Sequence, residues 1–274
     1  MPLRFALNHM VCPRKSLRDF LALAQALGVA HVEIRNDLPG PITDGTSPET
    51  VKAEAAAAGV SIVSINALQR FNQWSPARAA EAAELVGYAQ ACGAAAIVLC
   101  PVNDLTFQPD EATRLAGLRE ALSGLAPMLR SAGLIGLVEP LGFAECSLRS
   151  KREAVEAIDA VEAADVFRLV HDTFHHHVAG EPALFPDRTG LVHVSGVVDP
   201  SVPGESMRDP HRVLVDAEDL IDNVGQIEAL LAGGYAGPIS LEPFAESVAA
   251  LEDPRPAVEA SLRYMQTEHN KKAA

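Results

Sequence analysis

Residues 129–139 read Leu129-Arg130-Ser131-Ala132-Gly133-Leu134-Ile135-Gly136-Leu137-Val138-Glu139. A helical stretch ends at Ala132-Gly133, a short apolar run follows, and an acid closes it. Glycine ends a helix well because it enters the left-handed region without a Cβ penalty. The run after it is apolar at most positions, as a parallel strand buried on both faces requires. The phrase recurs along the chain. Leu27-Gly28 leads into His31-Val32-Glu33-Ile34-Arg35, and Ala58-Gly59 into Ser61-Ile62-Val63-Ser64-Ile65-Asn66. Cys92-Gly93 leads into Ala95-Ala96-Ile97-Val98-Leu99, and Gly233-Gly234 into Pro238-Ile239-Ser240-Leu241-Glu242.

The helices between these runs carry start signals. Ser16-Leu17-Arg18-Asp19 and Ser150-Lys151-Arg152-Glu153 resemble capping boxes. Ser47-Pro48 and Ser75-Pro76 put proline in a first helical turn. Leu17, Phe20, Leu21, Ala24 and Leu27 form one apolar stripe at helical spacing, and Leu115, Leu118, Leu122, Leu125 and Leu129 form another. Strands are predicted at about 3–8, 31–35, 61–66, 95–100, 135–139, 167–171, 191–195 and 238–242. Helices are expected between most of them, with little helical pattern between the sixth and seventh. Eight alternating units predict an α/β fold, a closed (β/α)8 TIM barrel. The 274-residue chain suits one such barrel, which takes roughly 250 residues. The expected organisation is one domain over 1–274, the barrel covering about 3–268 and 269–274 a frayed tail. An open doubly wound sheet is the rival, but no GxGxxG follows the first strand.

Composition narrows the function classes. Hydrophobic residues make up 48% of the chain, enough for a large core, and the formal net charge of −14 repels phosphate backbones. Nucleic acid is therefore not an expected partner. Cys12, Cys92, Cys100 and Cys146 are scattered, so neither a zinc knuckle nor a disulfide framework is indicated. Residues 1–10 lack the apolar stretch of a signal peptide, and no run approaches a membrane span. A cytoplasmic enzyme without membrane attachment is the expectation.

In a barrel of this kind the site lies at the C-terminal ends of the strands. Strand five ends in Glu139, strand six runs into Asp172, strand seven carries His193 and strand eight ends in Glu242. Singly, a strand-end glutamate is usually a solvated loop acid and a strand histidine a hydrogen-bonded core residue. Four such groups from four successive strands would repel one another in a dry funnel, and a divalent cation removes that cost. Three oxygens and an imidazole suit Mn²⁺ first, with Mg²⁺, Co²⁺ or Zn²⁺ as alternatives. Substrate contacts are expected from His175, Glu145, Asn66, Glu33, Arg208 and Arg212, with Phe71 and Trp74 as apolar lids. For the last two, packing under the third loop is the competing role. Arg35 reads as a partner for a carboxylate.

These stretches resemble the xylose isomerase-like TIM-barrel superfamily of sugar isomerases and epimerases. Within it they are most similar to the inosose (2-keto-myo-inositol) isomerases of inositol catabolism. The likeness rests on His31–Arg35, Ile65–Leu68 with Phe71-Asn72, Val138–Gly142 with Glu145-Cys146, His171–His177, Val192–Val194 and Ser240–Phe244. It implies metal ligands at Glu139, Asp172, His193 and Glu242, a substrate-contacting histidine at His175, and Glu139 and Glu242 as acid and base. The implied activity is metal-dependent isomerisation or epimerisation of a keto-inositol or ketose through an enediolate. A homo-oligomer is compatible with it. Two departures concern the loop after strand seven. The epimerases carry an arginine six residues past the strand-seven histidine, where this chain has Asp199. Many relatives show a Pro-Gly-x-Gly turn where this chain reads Val213-Leu214-Val215-Asp216-Ala217-Glu218. Both bear on substrate identity. A dehydratase or other lyase using the same metal and base is the alternative. A DNA-repair endonuclease of the same superfamily would need a basic groove and more ligands on the early strands. A metal-free sugar-binding protein has no use for a full ligand set.

Overall fold

Ser16, Ser47, Ser75 and Ser150 each precede a helix, and each hydroxyl accepts the amide proton three residues on, from Asp19, Thr50, Arg78 and Glu153. Gly28, Gly59, Gly93 and Gly133 end their helices in the left-handed region, with φ between 68° and 81°. The start and stop signals in the sequence are thus the caps of the fold. The structure, a computed structural model, describes residues 2–38 and 43–272.

The elements alternate: β1 (Phe5–Asn8), α1 (Leu17–Leu27), β2 (His31–Arg35), α2 (Pro48–Ala58), β3 (Ser61–Gln69), α3 (Pro76–Cys92), β4 (Ala96–Cys100), α4 (Glu111–Ala132), β5 (Ile135–Val138) and α5 (Lys151–Ala160). They continue with β6 (Phe167–Asp172), α6 (Thr173–Ala179), β7 (Thr189–Val194), α7 (Asn223–Ala232), β8 (Ile239–Leu241), α8 (Glu246–Ala249) and α9 (Arg255–Lys272). Every strand pairs in parallel with its neighbours in the chain, and β1 also pairs with β8, so the barrel closes. The fold is the (β/α)8 TIM barrel.

Strand alternation separates the interior from the core. Outward positions such as Val32, Ile34, Ile97 and Leu99 join helix residues Phe20, Leu21, Leu122 and Leu129 in one continuous apolar layer. The alternate positions Ala96, Val98 and Cys100 cluster with Leu137, Val170 and Leu191. A third cluster, Phe143, Cys146, Phe174, Val197, Met207 and Ile221, unites the loops after β5 and β7 with α6.

Three expectations need correction. The link between β6 and β7 does contain a helix, α6, only seven residues long. Its period is illegible because only Phe174 and Val178 carry it into the third cluster and its N-cap is Asp172, a strand residue. β3 runs on to Gln69, pairing Leu68 with Leu99 and Gln69 with Cys100 after a register shift. The stretch 269–272 is the last turn of α9, where His269 is buried. The remaining tail residues, Ala273 and Ala274, lie outside the described residues.

Candidate metal centre

Glu139 follows β5 directly, Asp172 ends β6, His193 is the fifth residue of β7 and Glu242 follows β8. All four are buried, and one ligand-type atom from each lies within 4.8 Å of the other three. His193 is at the centre. Its Nδ1 lies 3.0 Å from Glu139 Oε1, 3.2 Å from Glu242 Oε2 and 4.0 Å from Asp172 Oδ2. Its Nε2 faces Glu33 Oε1 at 3.0 Å. Burial disfavours charge on the ring, but Glu242, Glu33 and Glu139 outweigh it and hold the His193 pKa well above the ordinary imidazole range.

Two guanidinium groups close the cluster. Arg212 Nη2 donates to Asp172 Oδ2 at 2.6 Å and Glu242 Oε2 at 3.0 Å, while its Nε donates to Ser195 Oγ at 2.9 Å. Arg35 Nη1 donates to Glu242 Oε1 at 2.8 Å, and its other edge grips Asp37 through two bonds of 2.8 and 2.7 Å. The Phe244 ring lies between the two, 5.3 Å from Arg35 and 4.5 Å from Arg212. Burial raises the Glu242 pKa, but His193, Arg212 and Arg35 reverse that and hold it far below the usual carboxylate range.

The donor set fits a divalent cation. Glu33, Glu139, Asp172 and Glu242 all reach the His193 ring within 4.0 Å, and Arg35 and Arg212 face them. Four carboxylates against two guanidinium groups leave two negative charges in a buried space, one of them met by the His193 proton that an entering ion would displace. A doubly charged ion among Nδ1 and the three facing carboxylates would balance them.

Above the cluster opens a cavity of about 340 Å³ lined by Glu139, Glu242, Asn66, His175 and Arg212 together with Arg35, Asp37, Gln69, Arg70, Cys100, Asn103, Asp209, Phe143 and Phe244. His175 accepts from the Gly142 amide at Nδ1, 3.2 Å, which leaves its proton on Nε2 as a donor. Asn66 Nδ2 lies 3.5 Å from Glu242 Oε1. Of the expected substrate contacts, Asn66, His175 and Arg212 therefore line the cavity.

The other five do not. Glu33 is fully buried beneath it, accepting from Ser64 Oγ at 2.5 Å as well as facing His193. Glu145 is half-buried in its loop, where Phe143 and Cys146 take the inward positions. Arg208 is exposed and staples its own loop, donating to the carbonyls of Glu205 and Met207 at 2.9 and 2.7 Å and covering Phe143. Phe71 is in the main core, and Trp74 packs on α4 over Gly124, where a Cβ would fall 2.4 Å from the indole. Packing wins for both, although Gln69 and Arg70 just before them line the cavity.

Sequence reasoning missed Arg35 as a cavity residue, although its two-residue spacing from Glu33 places both on one face of β2. Asp37, Gln69, Arg70, Asn103 and Asp209 sit at strand ends or in loops, where no periodicity announces them.

An acid-and-imidazole cluster at the C-terminal mouth of a closed parallel barrel defines the class: a (β/α)8 protein with a buried centre able to hold a metal ion. The chain belongs to the xylose isomerase-like TIM-barrel family, whose profile matches residues 21–268. It is similar to a xylose isomerase domain containing protein from Salmonella typhimurium LT2, at 33% identity and a TM-score of 0.88 over 97% of both chains. It shares the fold of an IolI protein with a bound zinc atom, at 19% identity and a TM-score of 0.86 over 98% of this chain and 99% of that one. It also shares the fold of the D-psicose 3-epimerase of Clostridium cellulolyticum H10, at 18% identity and a TM-score of 0.71 over 99% and 98%. No curated protein matches the chain. Among the described residues no helix is long and apolar enough to cross a membrane.

Proposed function

We propose that this barrel is a divalent-metal-dependent isomerase or epimerase of a small polyhydroxy-ketone, an inosose or a ketose, acting by proton transfer through an enediolate. The observation that carries the proposal is the convergence of Glu139, Asp172, His193 and Glu242 beneath a polar cavity of about 340 Å³. Glu139, Asp172, His193 and Glu242 would hold the ion, and Mn²⁺ suits them best. The zinc atom of the IolI protein supports a divalent ion in this fold. Such an ion would polarise the ketone and offset the charge that develops as the neighbouring carbon loses its proton.

The chain's own groups do the rest. Glu139 and Glu242 come from different sides of the mouth and can flank a bound ketone, one taking the carbon-bound proton and one returning it. Return at the adjacent carbon is isomerisation; return at the same carbon from the other face is epimerisation. His175 Nε2–H, Asn66 and Arg212 are placed to hold hydroxyl groups. The cavity's guanidinium groups favour an uncharged substrate, because each already faces an acid. Arg35 pairs with Asp37 and Glu242, Arg70 with Asp104, and Arg212 with Asp172, Glu242 and Asp209.

The test is incubation with a panel of inososes and ketohexoses in deuterated water with added Mn²⁺. The expected result is deuterium at a carbon next to the ketone with no other change of mass. Loss of water would make the enzyme a dehydratase. No incorporation from any member of the panel would sink the proposal.

A further inference from the structure

β2 supplies none of the four clustered ligand-type residues, yet it touches two of them. Glu33 and Arg35 are two residues apart, so the strand's alternation points both into the barrel, while Ile34 packs outward. Glu33 faces His193 Nε2 with both oxygens, at 3.0 and 3.1 Å. Its own position is fixed by Ser64 Oγ at 2.5 Å and Asn8 Nδ2 at 3.4 Å. Arg35 holds Glu242 Oε1, the oxygen turned away from the His193 ring, while Oε2 stays beside Nδ1. The Arg35 plane cannot rotate freely, because Asp37 binds its far edge through two bonds of 2.8 and 2.7 Å. Both side chains are almost completely buried.

We propose that Glu33 and Arg35 are the positioning residues of the centre: Glu33 holds the His193 proton on Nε2 so that Nδ1 is the nitrogen that would give up its proton to an entering ion, and Arg35 aims Glu242. A hydrogen bond on one ring nitrogen decides which nitrogen is left to bind a cation. A fork donor anchored on both edges sets the angle of a carboxylate in a way an ammonium cannot. The strand thus gives a carboxylate to the imidazole and a guanidinium donor to the carboxylate, adding no net charge. Glu33 lies beneath the cavity, and Arg35 lines it with its guanidinium held by Asp37 and Glu242, so neither is given a substrate contact. The proposal rests on the metal-dependent reading above.

The experiment titrates Mn²⁺ alone into the metal-free protein and into the variants Glu33→Ala, Glu33→Gln and Arg35→Lys, with circular dichroism as a check on folding. Glu33→Ala and Arg35→Lys are expected to weaken Mn²⁺ binding about 10- to 100-fold. Glu33→Gln, which still accepts from Nε2–H, is expected to restore most of it. The apparent KM for the best ketone should change little while kcat falls. Mn²⁺ affinity within about twofold of wild type in both Glu33→Ala and Arg35→Lys, or a raised KM with kcat kept, would overturn the proposal. Nitrogen-15 spectra of the His193 ring give a readout independent of metal and turnover. A slowly exchanging low-field Nε2 proton should be present in wild type and Glu33→Gln and lost in Glu33→Ala. Its survival in Glu33→Ala would count against Glu33 even if the other variants lost stability. If wild type binds Mn²⁺ and shows the Nε2 signal but exchanges no deuterium with any ketone, the isomerase reading fails while the positioning roles stand.

Discussion

The two glutamates of the cluster differ in what holds them. Glu242 accepts from Arg35 and Arg212 at 2.8 and 3.0 Å, and from Asn8 at 3.1 Å. Besides His193, Glu139 receives the Cys100 thiol at 3.5 Å. Replacing either glutamate by glutamine keeps shape and removes charge. Both variants are expected to lose at least about 100-fold in deuterium exchange while circular dichroism stays native. Full activity in either would remove that glutamate from the mechanism. Stability should separate them, because Glu242→Gln strips the counter-charge from two buried guanidinium groups. It should unfold more easily than Glu139→Gln by about 2 kcal/mol, measured in urea on the metal-free proteins. Equal stability would mean that the arginines find other partners.

At the scale of elements, α6 ties the cluster to the cavity. Asp172 uses Oδ1 to cap α6 at the His175 amide, 2.9 Å away, and Oδ2 to face Arg212. Asparagine can still cap, whereas alanine cannot. Asp172→Asn and Asp172→Ala should therefore both weaken Mn²⁺ binding, but only alanine should lose a further ~1 kcal/mol of stability. A shared melting temperature would show that the cap contributes nothing. Gly142 seats the same helix, since a Cβ there would fall 2.4 Å from the His175 carbonyl and 2.9 Å from the Ala179 amide. Gly142→Ala should cost about 1–3 kcal/mol through overpacking and raise the KM by shifting His175. An unchanged KM would free His175 from the substrate. The sequence announces the barrel because its helix caps and apolar strands are local signals. It announces the cluster because strand ends converge in any such barrel. It hides α6, whose N-cap is an acid already claimed by another role and whose Gly180 stop follows only seven helical residues. It also leaves Phe71 and Trp74 between lid and core, since the surface that seats Trp74, Gly124 of α4, is remote in sequence. The partners of Glu33 and Arg35 lie 160 and 207 positions away along the chain, a distance no spacing rule spans.

For the whole molecule, two linkages set stability. The first is metal. An ion that binds the folded cluster and not the unfolded chain stabilises by mass action, so Mn²⁺ at a thousand times its Kd should add about 4 kcal/mol, reversed by a chelator. The second is acid, and it is read best in chelator, without metal. His9 is buried and stacks on Phe20 at 4.4 Å, and burial pushes its pKa from 6.5 down to about 4, against the opposing pull of the Lys15 carbonyl and Asp44. His176 is lowered to about 4 as well, by burial and then by Lys151. A lowered folded pKa means that the unfolded chain binds protons the folded chain refuses. Stability from these rings is complete above about pH 6.5 and is lost as the pH falls toward 4. His193 shifts the opposite way, so its contribution is constant across that window and is lost only as the pH rises through its raised pKa. The paired acids Asp104 and Asp165, held near 2, act at lower pH. The slope between pH 6.5 and about 4.5 therefore belongs largely to the buried histidines, with His9 giving at most about 3 kcal/mol. His9→Phe keeps an aromatic ring over Phe20 and removes the titration. Its melting temperature should fall less than that of wild type as the pH drops from 6.5 to 4.5. Parallel curves would show that His9 takes up its proton as easily in the folded protein as in the unfolded chain.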